Sequence, residues 1–331
     1  MLTPSPLIFN GLIMSGIIEQ FLFSASITGP ICLMLLLGIL LRRFNIINDT
    51  FIDTASKLVF KVTLPALLFL SIIKSNSISD SSFPLVTYGL IANIAFFLFS
   101  TITVKLLLKQ NSQHGVIIQG AFRSNTGIIG LAYVANAYGD HGVAIAAIYV
   151  AAITVLYNIL AVITLSPRSQ QSNFGTYRNM LISIIKNPLI IAIVLAFAIH
   201  EVSITVPPML IHTGQYFANM TLPLALLCTG GSLNIGELRH DKASNIISSS
   251  YKLILCPLLI TLGGFFYGFR GLELGILFFM TASPAAAASY VMARAMGGNA
   301  TLAANIIALT TVGSMVTTTF GIVILSSFGV M

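Results

Sequence analysis

Two short polar stretches interrupt long apolar runs, and their side chains are the ones best equipped for chemistry in this 331-residue chain. The first is RSNTGIIG, residues 123–130, set between GVIIQGAF and LAYVANAY. Arg123 brings a full positive charge, Asn125 an amide and Thr126 a hydroxyl, while Gly120, Gly127 and Gly130 weaken a helix through the segment. The second is SPAAAAS, residues 283–289. Here Pro284 removes a helical hydrogen bond, and the alanines permit close backbone approach. Backbone groups freed inside an apolar run are tolerated only where they line a cavity or hold something. If the two breaks cross, half-helix N-termini would present N–H groups and positive dipole ends to that space, a place for an anion. Arg123, Asn125, Thr126, Gly127, Ser283 and Pro284 are the candidate binding residues, with Asn234 at the end of the seventh apolar run as a further one.

Each has a plainer alternative. Arg123 lies about eight residues into its run, roughly 12 Å from the nearer surface, and a long side chain can snorkel part of that distance. Asn125 is too short to reach an interface, so it bonds either a helix or a ligand. Pro284 has the alternative of an ordinary kink, and Asn234 that of a helix cap. Pro65 and Pro223 read as packing kinks. The tract TTVGSMVTTT (310–319) reads as hydroxyls bonded to their own helix, although Thr and Ser are also able to ligate Na⁺.

The elements that must position these residues follow from composition. Hydrophobic residues make up 56% of the chain and charged ones only 8%, with mean hydropathy +0.95. Soluble domains carry about 25% charged residues, so the chain reads as an all-α integral membrane protein. Apolar runs of bilayer-spanning length predict ten transmembrane helices: 21–41, 51–74, 83–108, 115–138, 142–165, 180–200, 208–233, 248–269, 272–297 and 300–325. Residues 1–20 form a leader without the basic n-region and cleavage site of a secretory signal. The polar linker 166–179 sits at the midpoint.

Thirteen of the 16 Lys and Arg residues fall on the side of the odd-numbered loops, Lys252 counted among them as a flank of the seventh loop. The positive-inside rule then places those loops in the cytoplasm and both termini outside, in a multi-pass inner-membrane protein. The net charge of +7 is accounted for by this topology and gives no sign of nucleic-acid binding. Cys32, Cys228 and Cys256 lie in apolar runs without C-x-x-C spacing and read as unpaired thiols. All nine acidic residues lie in loops, at span ends or in the leader, which disfavours a proton antiporter built on buried carboxylates. Neither a metal motif nor a nucleophile constellation is present, so neither an enzyme nor a cofactor is expected.

An offset of 158 superimposes TLPALL (63–68) on TLPLAL (221–226), Gly139 on Gly297, and Asn125–Thr126 on Ser283–Pro284. The pattern predicts two five-helix repeats, 21–165 and 180–325. Because five is odd, the second runs inverted across the membrane, with helices 4 and 9 broken and crossing. Inverted repeats are a signature of secondary transporters, whose substrate lies near the midplane between interrupted helices.

At KLVFKVTLPALLF (57–69), RSNTGIIGLAYVANAYGD (123–140), KNPLIIAIVLA (186–196), LPLALLCTGGSL (222–233) and SPAAAASYVMARAMGGNATLAANII (283–307), the chain resembles the auxin efflux carrier family, as a bacterial-type permease. The resemblance implies a fold similar to bile-acid sodium symporters. It also implies a scaffold of helices 1, 2, 6 and 7, open to homodimerisation, and a moving domain of helices 3–5 and 8–10. It assigns Asn125 to substrate contact, Pro284 to the crossover and Asn234 to the cavity. The family's proline shortly after that Asn is absent, since Gly130-Leu131 is followed by Ala132, so the fourth-helix break is expected to rest on glycines. The expected function is a permease for small organic anions, mono- or dicarboxylates, with H⁺ or Na⁺ coupling left open. The alternatives are a sodium-coupled symporter of larger, sterol-like anions and a non-transporting ligand sensor.

Overall fold

Apolar side chains of high helix propensity, with caps and prolines only at intervals, fold the described residues into helices and nothing else regular. The computed structural model describes residues 6–74, 79–108, 113–165, 186, 188–202, 206–233 and 241–331. Thirteen α-helices are found among them: α1 (Pro6–Arg43), α2 (Asp49–Leu58), α3 (Leu64–Lys74), α4 (Ser79–Leu107), α5 (His114–Phe122), α6 (Leu131–Leu165), α7 (Pro188–Glu201), α8 (Pro208–Gly231), α9 (Lys242–Ser250), α10 (Cys256–Tyr267), α11 (Gly271–Ala282), α12 (Ala288–Ala295) and α13 (Ala300–Ser327). Residues 6–20 continue into the first span as part of α1.

Among the described residues are three π-turns, two of which link helices into longer rods. Val59–Thr63 joins α2 to α3 and Tyr251–Leu255 joins α9 to α10, in each case just before a proline, Pro65 or Pro257. A proline within a helix has no N–H to give, and its ring crowds the carbonyl four residues back. Widening the turn relieves that crowding without ending the rod. The third π-turn, Thr126–Gly130, opens α6.

Among the described residues, six helical stretches are long and apolar enough to cross a bilayer: Phe21–Arg43, Asp49–Lys74, Phe83–Leu107, Thr126–Leu165, Lys242–Tyr267 and Ala300–Ser327. Pro188–His200 and Gly271–Ala282 are shorter apolar helices. Large apolar side chains such as Leu33, Phe83, Ile91, Ile102, Phe266 and Phe320 stand exposed on the outside. A surface of this kind is suited to lipid rather than to water. The protein is an all-α, multi-pass membrane protein.

Packing uses small residues where backbones meet. α1 lies along α8, and α3 packs on α7 and α8. A side chain at Gly38 would collide with the Leu227 carbonyl, and one at Gly230 with the Leu35 backbone, so only glycine allows this approach. α4 packs on α5 and α6, α9 on α5 and α13, and α10 on α11. The buried Asn93 ties α4 to α6: its amide donates to Gly89 O (2.7 Å) and Tyr149 OH (3.2 Å) and accepts from Tyr157 OH (2.8 Å). Among the described residues the single ion pair is Arg42–Asp49, exposed between α1 and α2.

Candidate functional site: a crossover of two broken helices

α11 stops because of Pro284. A residue before proline is driven out of the helical region, and Ser283 accordingly sits at φ −58°, ψ 145°. Helix resumes only at Ala288. α5 stops at Phe122, with Arg123 extended at φ −80°, ψ 101°. The two unwound segments meet as a short antiparallel bridge with Ser124 opposite Ala285. Asn125 N–H donates to Pro284 O at 2.8 Å, and Ala286 N–H to Arg123 O at 3.0 Å. Ala285 N–H donates to Thr310 Oγ1 (3.1 Å), whose own proton goes to Ile306 O (2.7 Å).

These bonds change the picture drawn from sequence. The fourth-helix break does not rest on glycines: it is held by main-chain bonds to the ninth-span break, and the glycines Gly127 and Gly130 belong to the π-turn that follows. Many of the backbone groups expected to face a cavity are spent on the crossing. What stays open is a smaller set. Asn125 is 8% exposed and Thr126 4%, and neither side chain makes a hydrogen bond among the described residues. The helical segments that begin at Thr126 and at Ala288 have no side-chain cap. A Cβ built on Gly127 would meet nothing closer than Leu64 Cδ2 at 3.9 Å, so there is room beside it. Next to Leu64 in sequence, the Thr63 hydroxyl is buried and has no hydrogen-bond partner among the described residues.

Extended backbone sends successive side chains to opposite sides. Arg123 is only 5% exposed: its guanidinium donates to Asn158 Oδ1 at 2.7 Å and meets the Met292 sulfur. It therefore does not snorkel to a surface, and its remaining N–H donors find no acceptor among the described residues. Ser124 instead accepts from the ammonium of Lys252, which also donates to Thr281 O at 2.6 Å. Lys252 has no exposed surface. That corrects its assignment as a cytoplasmic flank of the seventh loop: it projects from the π-turn into the protein and reaches the crossover.

Sequence reasoning missed Lys252 because four residues from the start of a predicted span is within boundary error. The nearby Pro257, which forces the π-turn, was the available signal. Thr63 was missed because the TLP stretch reads as a packing kink. Among the predicted residues, Arg123, Asn125, Thr126, Gly127, Ser283 and Pro284 all lie on the crossover. Ser283 is fully buried and its hydroxyl donates to Met280 O (2.9 Å), so it serves the end of α11. Pro284 contributes its carbonyl to the bridge. Asn234 lies outside the described residues. In the 310–319 tract, Thr311, Ser314, Thr317 and Thr319 bond back to their own helix, Thr319 also meeting the Thr28 hydroxyl, while Thr310 serves the bridge itself and Thr318 reaches Ala282 O at the end of α11.

Known proteins share this sequence pattern over most of its length. A protein-family model described as Membrane transport protein (Mem_trans) matches residues 28–322. The chain is similar to an uncharacterized transporter of Methanothermobacter thermautotrophicus, 23% identical over 302 residues that span 89% of this chain and 96% of the relative. It is also similar to the uncharacterized transporter YfdV of Escherichia coli K12, 28% identical over 244 residues, 71% of this chain and 76% of the relative. These relatives are transporters and not enzymes. A crossover of interrupted helices inside a multi-pass bundle accords with that company, and the chain belongs to the auxin efflux carrier-like Mem_trans family of membrane transport proteins.

Proposed function

We propose that this transporter carries small organic anions, mono- or dicarboxylates, by alternating access, with the carboxylate held at the crossover. One observation carries the reading: among the described residues, Arg123, buried at 5% exposure, has no carboxylate partner, and the Asn125 amide two residues away has no hydrogen-bond partner. A buried cation lacking a counter-charge costs several kcal/mol, and a bound anion offsets that cost. The uncapped N-terminal ends at Thr126 and Ala288 favour negative charge as well. In this reading Arg123 supplies charge, while Asn125, Thr126 and the backbone at Gly127 orient the carboxylate.

The proposed architecture is ten crossings in two inverted repeats. Thr126–Leu165 is 40 residues, about twice one bilayer span, and Gly139 within it leaves the helical region at φ 60°, ψ −156°. Its repeat partner Gly297 is also left-handed, at φ 75°. The packing of α1, α2 and α3 with α7 and α8 supports a scaffold, and that of α4–α6 with α9–α13 a moving domain. A homodimer would use the scaffold, whose outer side carries an apolar groove of about 440 Å³ lined by Leu70, Ile199 and Leu210, away from the crossover. Both termini outside and an inner-membrane location belong to the same proposal.

The test is thermal unfolding of purified protein with acetate, pyruvate, malate and succinate, for wild type and Asn125→Ala. At saturating ligand the wild-type midpoint should rise by about 2–4 °C, and the variant should respond at least tenfold more weakly. Stabilisation by neutral solutes of the same size, with none from any carboxylate, would sink the anion reading.

A further inference from the structure

The crossover has a second side that the anion reading does not use. There the Lys252 ammonium donates to Thr281 O at 2.6 Å and to Ser124 Oγ, with Cys256 Sγ 3.8 Å away. Thr281 lies in the last turn of α11, where carbonyls have no intrahelical partner and the helix dipole is negative. In an unbroken helix its carbonyl would accept from the Ala285 N–H, but that group is bonded to Thr310. The neighbouring Ala282 carbonyl accepts from Thr318 at 3.5 Å. The Lys252 nitrogen is therefore set against a helix-end carbonyl and a hydroxyl, oxygens of the kind that hard cations take, with the Cys256 sulfur further off.

We infer that Lys252 is a tethered cation standing where a coupling alkali ion would bind, so that this protein carries its anion without sodium; the inference rests on the crossover being the transport site. In carriers built on broken helices, unwound carbonyls and half-helix C-terminal ends are where Na⁺ or H⁺ is coordinated. Here that position is filled by the chain itself. Lys252 is fully buried and has no carboxylate partner among the described residues, so the two oxygen dipoles and the more distant Cys256 sulfur are what compensate its charge. Its place is fixed twice. The π-turn Tyr251–Leu255, forced by Pro257, turns the side chain inward, and Ser124 belongs to the bridge that joins the two breaks. A permanent positive charge on one side of the crossover and an anion on the other form a nearly neutral pair, and no ion need be taken up from solution.

The experiment compares full-length protein in NaCl and in choline chloride at equal ionic strength, with no carboxylate present. It reads the unfolding midpoint and the binding of radioactive ²²Na⁺. Wild type should unfold at the same temperature in both salts and bind no ²²Na⁺. Lys252→Ala empties the position while leaving its oxygens, so it should be less stable in choline and recover about 2–4 °C in NaCl, with saturable ²²Na⁺ binding. Lys252→Met fills the space with an apolar chain and should show no sodium response. Sodium-specific stabilisation of wild type, or a folded Lys252→Ala indifferent to sodium, overturns the inference. Should Lys252→Ala fail to fold, the wild-type comparison still decides. Because carboxylates are left out, failure here leaves the Asn125→Ala titration untouched, and failure there leaves this result standing.

Discussion

Thr310→Val isolates one bond of the crossover. Thr310 is fully buried on α13, and valine matches its shape. Its hydroxyl gives its proton to Ile306 O at 2.7 Å and accepts from Ala285 N–H at 3.1 Å. Losing the first bond costs little, because Ile306 O keeps its helical partner. Losing the second strands an amide inside the protein with no route to water. An orphaned buried donor costs about 1–3 kcal/mol, which for a chain of this size is a fall of roughly 2–6 °C in the unfolding midpoint. Thr310→Ser keeps the oxygen and should lose less, only the buried methyl, about 1 kcal/mol. The assay is thermal unfolding in detergent for wild type, valine and serine variants side by side. Carboxylate binding in the valine variant should weaken in step, since Ala285 is the residue opposite Ser124. If valine is as stable as wild type, or serine falls as far as valine, Thr310 does not cap the break.

Gly139→Ala should cost about 1–3 kcal/mol in the same assay, because φ 60°, ψ −156° is reached almost only by glycine. Gly29→Ala, with nothing within 4 Å of its added methyl, is the control and should be neutral or slightly stabilising. Equal behaviour of the two would show that Gly139 is not a strained turn. Gly230→Ala would press a methyl on the Leu35 backbone, its Cα only 2.8 Å away, and backbone cannot step aside as a side chain can. It should destabilise by about 1–3 kcal/mol through separation of α1 and α8, and unchanged stability would refute the close approach.

Much of the fold was legible because lipid imposes a simple code: apolar length gives helices, and exceptions to apolarity mark the places worth examining. Arg123, Asn125 and Pro284 stood out for that reason, and all lie where the helices break. The partners of the breaks were not legible. Asn125 N–H to Pro284 O and Ala286 N–H to Arg123 O are main-chain bonds between residues about half the chain apart, and they leave no trace in side-chain identity. Lys252 was misplaced for a different reason. A lysine near a predicted boundary reads as topology, and only the π-turn ahead of Pro257 turns it inward. Thr310 was hidden among neighbours such as Thr311, Ser314 and Thr317, whose hydroxyls bond back to their own helix.

The bridge at the crossover is made by peptide groups, and this has a bearing on how such proteins diversify. A join that depends on amides and carbonyls is indifferent to most substitutions, provided Pro284 keeps α11 from continuing. In the anion-site reading proposed above, the side chains that contact cargo, Asn125 and Thr126, are free to be exchanged without dismantling the joint that presents them. Cargo preference can then drift from one lineage to the next while the joint persists.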